Sequence, residues 1–225
     1  MLGMMKCRPN FILFIMISLL SLEHGAAFAE NPQSYRYFAF GSNMVESTLT
    51  ALRQVYPLNA TAAILPDYKL RFNIGGGCLL DGAAASVEAT PGQNVHGILY
   101  TLTPQDFSRV GNTEGIPFVY RWERCRVYPY VGDGESAGEK AFAASDTGGV
   151  IAFTLVKSFP GNSDDSSPSR SYLNLLIQGA EEWKLDRSFR DKLETTPVAR
   201  NLLVPNGLAG PMLSFAELRQ QKRPR

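Results

Sequence analysis

Apolar and polar positions along the chain fall into short runs whose period changes. Tyr35 to Phe40 is almost wholly aromatic or apolar and stops at Gly41-Ser42-Asn43, which predicts a strand ended by a turn. From Val45 to Tyr56 the residues Val45, Leu49, Leu52 and Val55 recur at spacings of four and three, as on one face of a short helix, and Pro57 ends the run. Alternation then takes over. Tyr68, Leu70, Phe72 and Ile74 share one side of a strand expected within 62–74, and the glycines from Gly75 to Gly77 break it. Ala83–Thr90 and Val95–Leu102 are expected as two further strands separated by a Pro91-Gly92 turn.

Thr103-Pro104-Gln105-Asp106 supplies the cap, the first-turn proline and the acidic residue of a helix start, and that helix is expected to run to about Gly111. Strand-like composition returns over Phe118–Tyr130 and again over Val150–Lys157, with a Gly-rich turn at 132–138 between them. Ser169–Trp183, with Tyr172, Leu176, Gly179 and Trp183 on one stripe, predicts a helix, and a second follows at about Arg187–Glu194. Many strands with short interspersed helices, and no regular βαβ alternation, predict a single α+β domain over about 34–198, followed by a Pro- and Gly-punctuated tail over 199–225.

The N-terminus obeys another rule. Lys6 and Arg8 precede Phe11–Leu22, an apolar stretch of 12 residues interrupted by Ser18 and Ser21, and Ala27-Phe28-Ala29 places small residues before Glu30. That is the layout of a signal peptide over 1–29, and the apolar stretch is well short of the ~20 residues of a membrane span. It predicts a secreted or periplasmic protein with no stable membrane span after processing. An uncleaved signal anchor or a plastid leader are the alternatives.

Charge narrows the chemistry further. Lys plus Arg number 22 and Asp plus Glu 21, a formal net charge of +1, which argues against general nucleic-acid binding because phosphate contacts need a basic surplus. Without 1–29 the remainder is formally neutral and keeps one histidine, His96, and two cysteines, Cys78 and Cys125. An oxidising compartment would permit a Cys78–Cys125 disulfide; two separate buried thiols are the preferred reading. No zinc-ligand spacing survives, and no G-x-S-x-G elbow accompanies His96, which reads as a packing or hydrogen-bonding residue in a strand. Gly134 to Lys140 lacks the spacing of a phosphate loop and reads as a hairpin turn.

What remains is a carboxylate acting beside backbone donors. Gly41-Ser42-Asn43 follows an aromatic strand, where consecutive N–H groups can converge on an anion or oxyanion. Glu114, in Asn112-Thr113-Glu114-Gly115, reads on its own as a loop acid.

Four elements in order change that reading. Tyr37-Phe38-Ala39-Phe40-Gly41-Ser42-Asn43-Met44 closely resembles the Y-F-A-Y-G-S-N-[LM] signature of γ-glutamylcyclotransferases and their AIG2-like relatives. Pro91-Gly92-Gln93-Asn94-Val95-His96-Gly97-Ile98-Leu99-Tyr100 is similar to that family's P-G-x-x-V-x-G-x-x-[WY] strand pair. Glu114-Gly115, followed by Tyr120, matches the position of the family's catalytic glutamate, and Pro168-Ser169-Arg170-Ser171-Tyr172 matches its P-S-x-x-Y element. Phe40 departs from the signature by replacing a tyrosine, so one hydroxyl is missing. The resemblance implies a small mixed β-barrel with surrounding helices. It also implies a substrate loop of Tyr37, Phe38, Ala39, Phe40, Gly41 and Ser42, a catalytic acid/base at Glu114 and a substrate-contacting phenol at Tyr172.

The implied activity is cyclisation of a γ-glutamyl amino acid or γ-glutamylamine, a small-molecule substrate, to 5-oxoproline, with no cofactor and no metal. Two alternatives stand beside it. One is an acyl transferase or lyase acting on another γ-glutamyl conjugate; the other is a catalytically silent binding protein that keeps the pocket. Neither the leaving amine nor the oligomeric state is specified by these residues.

Overall fold

The computed structural model describes residues 33–75, 82–145, 148–159 and 165–199. The leader expected at 1–29, Cys78 and nearly all of the tail expected at 199–225 lie outside them. Five strands form a closed mixed barrel: β1 (Tyr35–Ala39), β2 (Asn59–Gly75), β3 (Ala83–Leu102), β4 (Tyr120–Tyr130) and β5 (Val150–Lys157), in the order β1-β3-β2-β4-β5. β1 runs antiparallel to β3, with Tyr37 opposite Tyr100, and closes the barrel by a parallel pairing of Tyr37 with Phe153 on β5. The helices are α1 (Pro104–Thr113), α2 (Ala137–Ala143), α3 (Arg170–Glu182) and α4 (Arg187–Glu194). The α+β class and the small barrel with surrounding helices are as the sequence implies.

The helix starts lie where their caps place them. The Thr103 hydroxyl accepts from the Asp106 N–H and the Ser169 hydroxyl from the Tyr172 N–H, each satisfying a first-turn donor. α3 buries Leu173, Leu176, Gly179 and Ala180, and its end is tied to the barrel by the Trp183 indole, which donates to the Met44 carbonyl at 3.0 Å.

Three expectations are corrected. Val45–Tyr56 is not a regular helix but a 3₁₀ turn at Ser42–Met44 followed by a single π-helical turn at Thr48–Leu52. Two β-branched threonines crowd that turn, and Gln54 leaves it in the left-handed region at φ 55°. Pro91-Gly92 does not separate two strands. β3 runs through it for 20 residues, because the extra residues 90–93 bulge out of β3 opposite the single β2 residue Asp67, whose carboxylate accepts the Gly92 N–H at 2.8 Å. The glycines of 132–138 do not make a hairpin either; they lead into α2, whose entry is held by the Asp133 carboxylate accepting from the Glu135, Ser136 and Ala137 N–H groups.

His96 is 1% exposed in β3 with its Nδ1 2.8 Å from the Tyr130 hydroxyl, the hydrogen-bonding strand residue expected of it. Cys125 is a free, buried thiol that burial pushes up to about 12, which leaves it unreactive at neutral pH.

Candidate active site

Glu114 owes its position to the way α1 ends. It is the C-cap residue, and Gly115 follows in the left-handed region at φ 71°. The Ile116 N–H reaches back to the Gly111 carbonyl at 3.1 Å and the Gly115 N–H to the Asn112 carbonyl at 3.4 Å, the two bonds of a Schellman stop. A side chain at 115 would meet both the backbone strain of that φ and Val119 Cγ2 at 3.0 Å, so the glycine is required. The carboxylate is thus mounted on the rigid end of a helix.

Around it stands a connected set of donors. Asn43 Nδ2 donates to Glu114 Oε1 at 2.8 Å and to the Tyr37 hydroxyl oxygen at 2.9 Å. Arg53 Nη2 lies 2.7 Å from the same Oε1, while its Nε donates to Asn43 Oδ1 at 2.6 Å. Both charged side chains are mostly covered, 17% exposed for Arg53 and 14% for Glu114. Asn43 itself is fixed from behind, since the Tyr100 hydroxyl donates to its main-chain carbonyl at 3.0 Å. Every one of these bonds to Glu114 falls on Oε1.

Three phenols complete the wall. Burial raises Tyr37 and Tyr120 far above the ordinary phenol range, and the Glu114 charge raises both further. Burial pushes Tyr172 up to about 12 against the opposing pull of the Ala85 N–H, so it is a neutral phenol at physiological pH. The Tyr172 oxygen accepts from the Ala85 N–H at 3.1 Å, while Tyr120 donates to the Ala85 carbonyl at 2.7 Å. A Cβ on Gly41 would lie 3.1 Å from the Tyr172 hydroxyl, which explains a glycine where the loop passes that phenol.

The structure therefore brings together Tyr37, Gly41, Ser42, Glu114 and Tyr172. It does not treat the substrate loop as one surface. Tyr37 faces α1 with Tyr35, packing edge-on against Trp122 at 5.7 Å, whereas alternation turns Phe38 to the opposite face, where it is fully buried. Ala39 and Phe40 are also buried, so this stretch contributes chiefly packing and main chain.

The side chains of Asn43 and Arg53 were not among the residues read from sequence. Asn43 lay inside the quoted signature and was valued for its backbone alone. Arg53 sits in a run whose apolar period drew attention to its neighbours, and no local signal links it to Glu114. Among the described residues, no three His, Cys, Asp or Glu side chains converge where a metal ion could be held.

Comparison with known proteins places the family. Residues 37–151, just over half the chain and containing both Tyr37 and Glu114, match the family described as gamma-glutamyl cyclotransferase, AIG2-like. Gamma-glutamyl cyclotransferase gliK of Claviceps purpurea is 26% identical over 162 residues, 69% of this chain and 67% of its own length. Gamma-glutamylcyclotransferase of Mus musculus is 24% identical over 165 residues, 72% of this chain and 78% of its own. The solved structure of a gamma-glutamyl cyclotransferase superposes with a TM-score of 0.59 at 21% identity, covering 84% of this chain and 99% of that one, which shows the shared fold. With the barrel, the loop of Tyr37 to Asn43 and a carboxylate held above it all in place, the chain belongs to the gamma-glutamyl cyclotransferase, AIG2-like family.

Proposed function

We propose that this protein cyclises a γ-glutamyl amino acid or γ-glutamylamine to 5-oxoproline and a free amine, with Glu114 as the single acid/base. The observation that carries this reading is the one-sided anchoring of Glu114: Oε1 is held by Asn43 and Arg53, and Oε2 accepts no hydrogen bond from the described residues. Oε2 is then the oxygen that exchanges protons with substrate.

The chemistry follows from the substrate class. The α-amine is an ammonium at neutral pH and is not a nucleophile until Glu114 takes a proton from it. The amine then attacks its own γ-carbonyl, forming the ring C–N bond and a tetrahedral oxyanion. A second proton leaves the ring nitrogen, the amide C–N bond breaks, and two of the three ammonium protons finish on the departing amine. One carboxyl group, carrying each proton in turn, serves both stages. The reaction is intramolecular, so a pocket that holds the folded conformer supplies much of the rate. The Tyr172 oxygen accepts from the Ala85 N–H, which leaves its own proton to donate to a substrate carboxylate or to the oxyanion.

Incubating the protein with a panel of γ-glutamyl amino acids and γ-glutamylamines and assaying 5-oxoproline tests the reading. Release from at least one member supports it. Binding without release from any would leave a silent binding protein, and transfer of the γ-glutamyl group to an added acceptor would make it an acyl transferase. We also propose export with cleavage before Glu30; N-terminal sequencing of protein made by its native host that begins at Met1 would remove that assignment.

A further inference from the structure

Arg53 belongs to neither the sequence signature nor the proton-transfer scheme, yet it is the most heavily committed cation among the described residues of the site. Its Nη2 meets Glu114 Oε1 at 2.7 Å and its Nε meets Asn43 Oδ1 at 2.6 Å, so one planar guanidinium spans two partners that also bond each other. Its charge opposes the rise of the Tyr37, Tyr120 and Tyr172 phenols, which places it inside the ring of side chains around the carboxylate. It is 17% exposed and emerges at the end of the π-helical turn, Thr48–Leu52.

We propose that Arg53 is a positioning residue: it locks Oε1 of Glu114 and the amide orientation of Asn43, and so assigns proton transfer to Oε2. This rests on the reading of Glu114 as the acid/base. The reasoning is geometric. Asn43 alone could rotate its amide and offer Oδ1 to Glu114, setting oxygen against oxygen. With Nε of Arg53 on Oδ1, only Nδ2 can face the carboxylate, and it does so while also donating to Tyr37. Lysine could keep the charge but not this fork, since an ammonium is a point donor on a flexible stem. Among the described residues, the groups around the carboxylate are therefore one cation, Arg53, one amide, Asn43, and the phenols Tyr37, Tyr120 and Tyr172.

The test compares wild type with Arg53→Met and Arg53→Lys. With a γ-glutamyl amino acid that the wild type turns over, Arg53→Met should lower kcat by roughly 10–100-fold, the scale of lost charge-assisted hydrogen bonds, with KM changing much less. Arg53→Lys, which keeps the charge but not the fork, should lower kcat to an intermediate value. Independently of turnover, the side-chain amide protons of Asn43, followed by NMR hydrogen exchange, should exchange at least roughly tenfold faster in Arg53→Met.

Wild-type kcat and unchanged Asn43 amide exchange in both variants would overturn the proposal, as would a lower melting temperature with those two readouts unchanged. If the wild type itself releases no 5-oxoproline from any substrate, the cyclotransferase reading fails. The exchange measurement then decides the lock alone: faster exchange sustains it and equal exchange refutes it.

Discussion

Two carboxylate clusters in this barrel use nearly the same parts and come to opposite uses. At one, Glu114 stands at the end of α1 with Asn43, Arg53 and Tyr37. At the other, Asp186 caps α4 beside His96 of β3, Tyr130 of β4 and Glu139 of α2. Asp186 is fully buried, and both its oxygens are taken by main-chain donors, the Gly138 N–H at 2.8 Å and the Glu139 N–H at 2.9 Å. His96 is closed in as well, bonded to Tyr130 and tilted against the Phe189 ring at 5.4 Å. Glu114 instead has one oxygen held by two side chains and remains partly open. A carboxylate satisfied at both oxygens by rigid backbone joins elements together, here α4 to α2. One anchored at a single oxygen keeps a lone pair for chemistry. The arrangement of donors separates the two, since both have a phenol and a base or cation close by.

The sharpest way to break this comparison is to neutralise both carboxylates in parallel. Glu114→Gln preserves an acceptor for Asn43 and Arg53 but cannot carry a proton, so 5-oxoproline release should fall by ~10²–10⁴-fold. Its stability in urea should change by only about 1 kcal/mol, because the pair is not fully buried. Asp186→Asn should do the reverse. Its amide sets N–H against one of two N–H donors in a sealed site, at a cost of about 3 kcal/mol, while kcat per folded molecule stays at the wild-type level. Full turnover by folded Glu114→Gln, or lost turnover in a stable Asp186→Asn protein, would erase the distinction.

A smaller effect separates the two phenols. Tyr172→Phe removes a proton donor from the site and also strips the Ala85 N–H of its acceptor, so kcat/KM should fall about tenfold and stability by about 1 kcal/mol. Tyr130→Phe should lower stability similarly through His96 and leave kcat/KM alone. Steady-state kinetics with paired denaturation curves would show whether the kinetic loss belongs to Tyr172 only.

The sequence made some of this legible and concealed the rest for identifiable reasons. Elements fixed by their own residues were read well: Val150–Lys157 is a strand by composition, and Thr103 and Ser169 declare helix starts through side chains that bond two or three residues on. Elements fixed from a distance were not. α2 is only seven residues long, and its first turn is held by Asp186, far along the chain, while β3 survives Pro91-Gly92 because Asp67, across the sheet, accepts from the bulge. The site divides the same way. Glu114 and the glycine-serine loop carry a family signature, whereas Arg53 acquires its meaning when the barrel closes and brings it against a helix end.

The smallest expected effect concerns pH. Burial lowers the His96 pKa below its ordinary value; Asp186 and Glu139 pull it back up and Lys192 reinforces the lowering. The native state therefore keeps a neutral imidazole at pH values where the unfolded chain, titrating near ~6.5, already takes up a proton. Stability should be level with respect to this group above that pH. It should decline as pH drops below ~6.5, with a slope of at most about 1.4 kcal/mol per pH unit, until the native imidazole is itself protonated. His96→Gln should flatten that decline. Among the described residues no histidine joins the cluster around Glu114, so the pH profile of kcat/KM should be the same in His96→Gln as in the wild type. Urea midpoints measured from pH 7.5 to 5.5, alongside kinetics on the same samples, check both halves. If the substitution left the stability slope intact, His96 would not be the buried neutral group of the closed cluster. If it moved the kinetic profile, the two clusters would be coupled through the barrel, and the division between a joining and a reacting carboxylate would have to be redrawn.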